Sequence, residues 1–103
     1  PMIMARKPGK LPGDVISQIF NKEYGTDEIQ VQKGLIVPGD RVLIHDDLLG
    51  TGGTAEAATK IVEGCGAEVV GFNFLMEVDS LKGRELLLKY VSNEKIKSLV
   101  IFD

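Results

Sequence analysis

The stretch Val42-Leu43-Ile44-His45-Asp46-Asp47-Leu48-Leu49-Gly50-Thr51-Gly52-Gly53-Thr54 decides the fold. Residues 41–45 form a short, nearly continuous apolar run, the pattern of a parallel strand buried on both faces, and the run ends in two carboxylates. A turn rich in glycine and threonine follows. Residues 54–65 then place Ala55, Ala58, Ile61, Val62 and Cys65 at helical spacing, with Gly64 or Gly66 positioned to stop the helix. Within 67–76, Val69-Val70-Gly71-Phe72-Asn73-Phe74-Leu75-Met76 reads as a second buried strand. Strand, helix and strand make a right-handed parallel unit. The expected fold class is therefore α/β, a mostly parallel central sheet flanked by helices.

Outward from this unit, two Gly/Pro clusters read as loops: Pro8-Gly9-Lys10-Leu11-Pro12-Gly13 and Pro38-Gly39-Asp40. Between them, residues 15–23 alternate loosely, Gly25-Thr26-Asp27 supplies a turn and Ile29-Gln30-Val31-Gln32 alternates apolar with polar. This predicts a protruding, solvent-facing β-hairpin. Beyond the second strand, 83–90 has the apolar spacing of a short helix through Leu86, Leu87 and Tyr90, and 97–102 closes as another strand. No internal repeat is visible.

The 103 residues bound the chain to one domain, expected over 1–103. Twelve basic residues against fifteen acidic ones leave a net charge of −3, which argues against non-specific nucleic-acid binding. The longest apolar runs fall far short of the roughly 18 to 20 residues that a membrane-spanning helix needs. Pro1-Met2-Ile3-Met4-Ala5, running into Arg6 and Lys7, is too short an apolar stretch for a secretory leader. Cys65 is a single cysteine and reads as a small packed residue without a redox role, so a reducing, cytoplasmic setting is expected. His45, on an apolar strand, reads as a core or dimer-side residue and is left out of the site.

The chemistry lies in the turn. Glycines let consecutive N–H groups converge on one point, the hydroxyls of Thr51 and Thr54 add donors, and the helix N-terminus adds partial positive charge. Such a nest suits a phosphate. Asp46 and Asp47, acceptor-only groups at the end of the strand, suit the hydroxyls of a sugar beside it. The pattern is neither a Walker A sequence nor a GxGxxG fingerprint. As a plain alternative, it would be a tight strand-to-helix connection with an acidic cap region.

This run resembles the phosphoribosyl-diphosphate signature of the type I phosphoribosyltransferases, and Asp-Asp-Leu-Leu-x-Thr-Gly-Gly-Thr is similar to that of the adenine-using members. Arg6-Lys7-Pro8-Gly9-Lys10-Leu11-Pro12-Gly13, Glu23-Tyr24-Gly25-Thr26, Pro38-Gly39-Asp40-Arg41-Val42 and Ser80-Leu81-Lys82-Gly83-Arg84-Glu85 match further blocks of the family in order. The resemblance implies that Gly50, Thr51, Gly52, Gly53 and Thr54 hold the 5′-phosphate and that Asp46 and Asp47 hold the ribose hydroxyls. It implies that Lys7 and Lys10 approach the diphosphate, and that Val78 lines the base pocket. Glu23 and Tyr24 would act on a mobile hairpin, Glu23 near purine N7 as proton donor or acceptor. The implied reaction is purine salvage, transfer of phosphoribosyl from 5-phosphoribosyl-1-diphosphate to adenine to give AMP. Mg2+ would be held mainly through substrate oxygens, and the implied assembly is a cytoplasmic homodimer. His45 and Gly50 depart from the residues usual in the family. Members of the family carry a further portion before the Arg-Lys-Pro-Gly block, so this chain is expected to be the C-terminal part of the fold. A phosphoribosyl-diphosphate-binding regulatory module and an inactive fragment are the alternatives.

Overall fold

A computed structural model describes residues 2–22 and 24–103. Two strands, β1 (Val15–Asn21) and β2 (Thr26–Gln32), pair antiparallel from Val15 opposite Gln32 to Asn21 opposite Thr26. The expected hairpin is present, but Thr26 and Asp27, expected in the turn, already belong to the ladder. Nor is the ribbon free in solvent on both faces. Ile29 and Val31 are buried, and Phe20 packs beside the start of the first helix, where it leaves little room for anything larger than Gly53. The alternation of apolar and polar residues identifies a strand with one covered face, and here the cover is supplied by the helix.

The second sheet is wholly parallel, in the order β3-β4-β5. It comprises β3 (Arg41–Leu49), β4 (Glu68–Val78) and β5 (Ile96–Phe102). The first helix, α1 (Gly53–Gly64), connects β3 to β4. Strand β3 runs further than the expected 41–45 and carries Asp46 and Asp47 within it, because Asp46 pairs with Phe74 and Leu48 with Met76 in the β4 ladder. Partners in register hold a polar residue in a strand that its side chain alone would not predict.

Helix α1 is rich in alanine, the best helix former, and buries Ala55, Ala57, Thr59, Ile61 and Val62. Buried Thr59 donates its hydroxyl to the Ala55 carbonyl at 2.9 Å, so no polar group is orphaned there. Of the two glycines able to stop the helix, Gly66 does so. It adopts the left-handed conformation at φ +80° and its N–H reaches the Glu63 carbonyl. Phe72 and Phe74 on β4 are fully buried and stacked, with ring centroids 6.4 Å apart. Each such side chain contributes about 1.5–3 kcal/mol of burial. A single 3-10 turn (Asp79–Leu81) and a short helix, α2 (Gly83–Leu87), follow β4. Helix α2 ends before Tyr90, sooner than its apolar spacing predicts. His45 is exposed, which rules out the core half of its expected reading and leaves the dimer-side half an expectation: the face of β3 that it shares with exposed Leu43 is uncovered in this chain.

Candidate functional site

The site begins where β3 ends. Leu49 is buried and anchors the strand, the chain turns at Gly50, and Gly52 at φ +91° aims the backbone into α1. A side-chain residue would be strained in that conformation, so glycine is required by the turn itself. The first N–H groups of a helix have no partner within it and carry the positive end of its dipole. Here they open into a cavity of about 210 Å³ walled by Asp46, Leu49, the 50–54 turn and Phe74. Thr51 and Thr54 are exposed, their hydroxyls free to face a bound molecule.

Asp46 is half-buried, and its Oδ1 accepts the Asp47 backbone N–H at 2.8 Å, which fixes the orientation of the carboxylate. The structure therefore brings Asp46 together with Gly50, Thr51, Gly52, Gly53 and Thr54. Asp47 is exposed and lies outside the cavity wall, since successive residues of a strand project to opposite faces.

The underside of the turn is backbone packed on backbone. A Cβ at Gly52 would meet the Gly83 carbonyl at 3.1 Å and the Gly83 Cα at 3.2 Å, and one at Gly83 would strike the Gly50 carbonyl oxygen. Gly83 is the first residue of α2, preceded by Lys82 in the left-handed conformation at φ +61°.

Next to Gly83, Arg84 reaches Glu77 at the end of β4 through two parallel hydrogen bonds, Nε to Oε2 at 3.0 Å and Nη2 to Oε1 at 2.8 Å. The Ser98 hydroxyl donates to the same Oε1 at 2.7 Å, and Arg84 Nη1 donates to the Ile96 carbonyl and to Asn93 Oδ1. Glu77 is 1% exposed. The Arg84 guanidinium holds its carboxyl below the usual range, with help from Ser98 and against the effect of burial. This network was missed from sequence. Its one signal was an acidic residue inside an apolar strand, with an arginine seven positions later.

The remaining candidates gather around the hairpin. Lys7 forms an ion pair with Asp27 at 2.8 Å, and this contact, with the Glu28 backbone N–H, lowers the Asp27 carboxyl from its ordinary value. Arg6 exchanges two backbone hydrogen bonds with Gln30, and the Gln32 side chain donates to the Pro12 carbonyl. Residues 6–12 are thus strapped to the hairpin. Lys10 is exposed, and Tyr24 is 84% exposed beside the hairpin turn. Glu23, the expected proton donor or acceptor, lies outside the described residues. Val78 is half-buried at the end of β4, opposite Phe102 in register. A second cleft, of about 280 Å³, runs between the hairpin and α1 and shares Thr51 and Gly53 with the first. On its wall, Glu56 accepts the Tyr90 hydroxyl at 2.7 Å; burial and this carboxylate push the phenol up to about 12. Among the described residues, no three acidic, histidine or cysteine side chains converge on a metal-sized point, and no helix is long and apolar enough to cross a membrane.

Residues 3–102 match the family described as phosphoribosyl transferase domain. The adenine phosphoribosyltransferase of Alkaliphilus oremlandii is 50% identical over 101 residues, covering 98% of this chain and 56% of that protein. The crystal structure of adenine phosphoribosyltransferase from Thermoanaerobacter pseudethanolicus superposes with a TM-score of 0.88 at 44% identity, over 97% of this chain and 56% of the other. An APRTase from Giardia lamblia complexed with 9-deazaadenine gives a TM-score of 0.86 at 39% identity, over 98% and 56%. The chain spans about half the length of the curated relatives it matches.

Proposed function

The chain belongs to the phosphoribosyl transferase domain family, and from that premise we propose that it serves purine salvage, transferring phosphoribosyl from 5-phosphoribosyl-1-diphosphate to adenine to give AMP and diphosphate. One observation carries the reading: a single cavity unites Asp46 with the glycine-threonine turn that opens α1. The turn offers converging N–H groups and two hydroxyls to the 5′-phosphate, while Asp46, on the cavity wall, accepts from a ribose hydroxyl, and Asp47, outside that wall, is left the lesser part in holding the ribose. The base is assigned to adenine because the relatives at 44–50% identity are adenine phosphoribosyltransferases, and the Giardia protein holds an adenine analogue.

Displacement of diphosphate from an anomeric carbon builds positive charge on the ribose, so the site has to hold the leaving group and keep water out while the base attacks. Lys7 and Lys10 belong to the segment strapped to the hairpin, and they are the cations offered to the diphosphate. Tyr24 closes over the sugar from the same hairpin, and Glu23 is assigned, on the family resemblance, the exchange of a proton at purine N7. Val78 packs against the base.

Asp46, the one carboxylate on the cavity wall, suits a metal that uses one protein carboxylate and otherwise keeps its water and substrate oxygens, as Mg2+ does. Bound in that way, Mg2+ would neutralise charge on the departing diphosphate. The partners are then 5-phosphoribosyl-1-diphosphate, adenine and AMP, together with a second copy of the chain in a cytoplasmic homodimer. Unpaired Cys65 suits the reducing compartment. Apolar Leu43, Leu75 and Leu99, exposed on the sheet, suit the second copy.

The test is AMP formation from adenine, phosphoribosyl diphosphate and Mg2+, run beside titration of the protein with ribose 5-phosphate followed by amide resonances. Ribose 5-phosphate is expected to shift the amides of residues 50–55, and AMP to accumulate only with adenine present. Unmoved amides in that segment would overturn the sugar-phosphate assignment; shifted amides without AMP would overturn the assignment of the reaction.

A further inference from the structure

We infer that Arg84 and Glu77 form a positioning pair for the phosphate turn, holding the floor on which residues 50–53 rest. The inference rests on the reading of that turn as the phosphate subsite. An anion nest works only if its N–H groups stay converged before the anion arrives, so whatever fixes the backbone from below contributes to affinity without touching the ligand. The floor here is Gly83. It meets Gly50 and Gly52 so closely that neither Gly52 nor Gly83 has room for a Cβ.

Gly83 has no side chain with which to hold its place, and α2 is only five residues long, too short to be stable by itself. The fixing group is the next residue. Arg84 is locked by its fork to Glu77, and its third nitrogen bonds the Ile96 carbonyl and Asn93. Glu77 is locked in turn by Ser98. These bonds tie α2 to the end of β4 and the start of β5, so the floor is fastened to the same sheet that carries Asp46. A planar guanidinium with two parallel bonds fixes direction as well as distance, which a lysine ammonium does not. Val78 follows Glu77 directly, so the pair also sets the end of β4 that leads toward the proposed base pocket.

The test compares ribose 5-phosphate affinity, by calorimetry, with urea stability for the wild type and four variants of the full chain. Arg84→Lys keeps the charge and removes the fork. Glu77→Gln keeps the shape and removes the charge. Ser98→Ala removes one bond to Glu77 and is the gentlest. Val62→Ala destabilises the buried face of α1 away from the turn and serves as the control. We expect Arg84→Lys and Glu77→Gln to weaken binding about tenfold and Ser98→Ala about threefold, each fold-change measured on folded protein. Free Arg84→Lys should also show displaced amide resonances at 50–53. Val62→Ala should keep wild-type affinity although it loses stability. Should Arg84→Lys or Glu77→Gln not fold, Ser98→Ala decides. Wild-type affinity in Ser98→Ala and in whichever of those two folds would overturn the inference while leaving the phosphate assignment standing. An equal loss of affinity in Val62→Ala would reduce the pair to ordinary stability and overturn it also. If the wild type itself ignores ribose 5-phosphate, the phosphate reading fails, and the positioning role falls with it.

Discussion

Asp46 and Asp47 are identical in type and adjacent in sequence, yet only Asp46 forms part of the cavity wall. Asp46→Asn should therefore weaken ribose 5-phosphate binding about tenfold, with Asp47→Asn the milder change, and neither should alter thermal unfolding by more than a degree or two. Glu77 behaves differently. Its carboxyl is held below the usual 4.5 by Arg84, so its contribution to stability is present above that value and is lost as pH falls through the lowered one. Urea stability of the wild type should fall as the medium is acidified below about pH 4.5, and the fall should be shallower in Glu77→Gln. At neutral pH that variant should be less stable by about 3 kcal/mol, because it leaves the Arg84 guanidinium without its counter-charge. Tyr90 gives the opposite sign. With its phenol pushed up to about 12, it favours the fold below pH 10 and loses that contribution between 10 and 12. Ultraviolet titration of the Tyr24→Phe variant should show a single phenol ionising near the upper end of that window, and a midpoint near 10 would contradict the Tyr90–Glu56 contact. The two aspartates were legible in the sequence because they interrupt an apolar run. Arg84 was not, since an arginine in a short amphipathic segment looks like any solvated cation until the strand opposite is known.

At the scale of elements, period and punctuation carried most of the information. Alanines and the 3.6-residue spacing placed α1 to within one residue, and the glycine-rich turn before it was read from composition alone. Sequence left Gly64 and Gly66 as equal candidates for the stop because both are glycines; only backbone conformation separates them. Gly66→Ala should cost about 1 kcal/mol in urea unfolding for its left-handed backbone, and somewhat more because the new methyl would lie 3.3 Å from Pro38. Gly64→Ala has open space and an ordinary helical position, and should be neutral or stabilising by a few tenths of a kcal/mol. The full length of β3 was not legible, because ladder partners on β4 override the weak strand preference of aspartate. The docking of the hairpin on α1 was equally hidden. Alternation says that one face of a ribbon is covered without saying by what.

For the whole molecule, the parallel unit and hairpin follow from the sequence, whereas the exposed apolar sheet does not. Leu99, Val100, Ile101 and Phe102 on β5 are each between 47% and 77% exposed, and Leu43 on β3 is 57% exposed. Periodicity predicted β5 as a strand but had no means of showing that successive residues on both its faces would lack a cover. Large apolar patches and open strand edges favour association. Sedimentation of this chain should depend on its concentration, and Leu99→Lys should shift it toward monomer without changing the ribose 5-phosphate affinity. Unchanged sedimentation in that variant would show that β5 is not where copies meet.

The seat of the phosphate turn has one more consequence, for the kinds of sequence that can fold this way. Gly52 and Gly83 are 31 positions apart; the Gly83 backbone stands where a Gly52 side chain would go, and the Gly50 carbonyl stands where a Gly83 side chain would go. Each contact is an exclusion and involves no attraction, so a larger residue at one position gains nothing from a change at the other. Pairs that attract can drift together through compensating changes; here main chain stands in the way at both positions, and no change of side chain moves it. A library randomised at both positions and selected for folded protein should return glycine at each, independently of what the rest of the turn becomes.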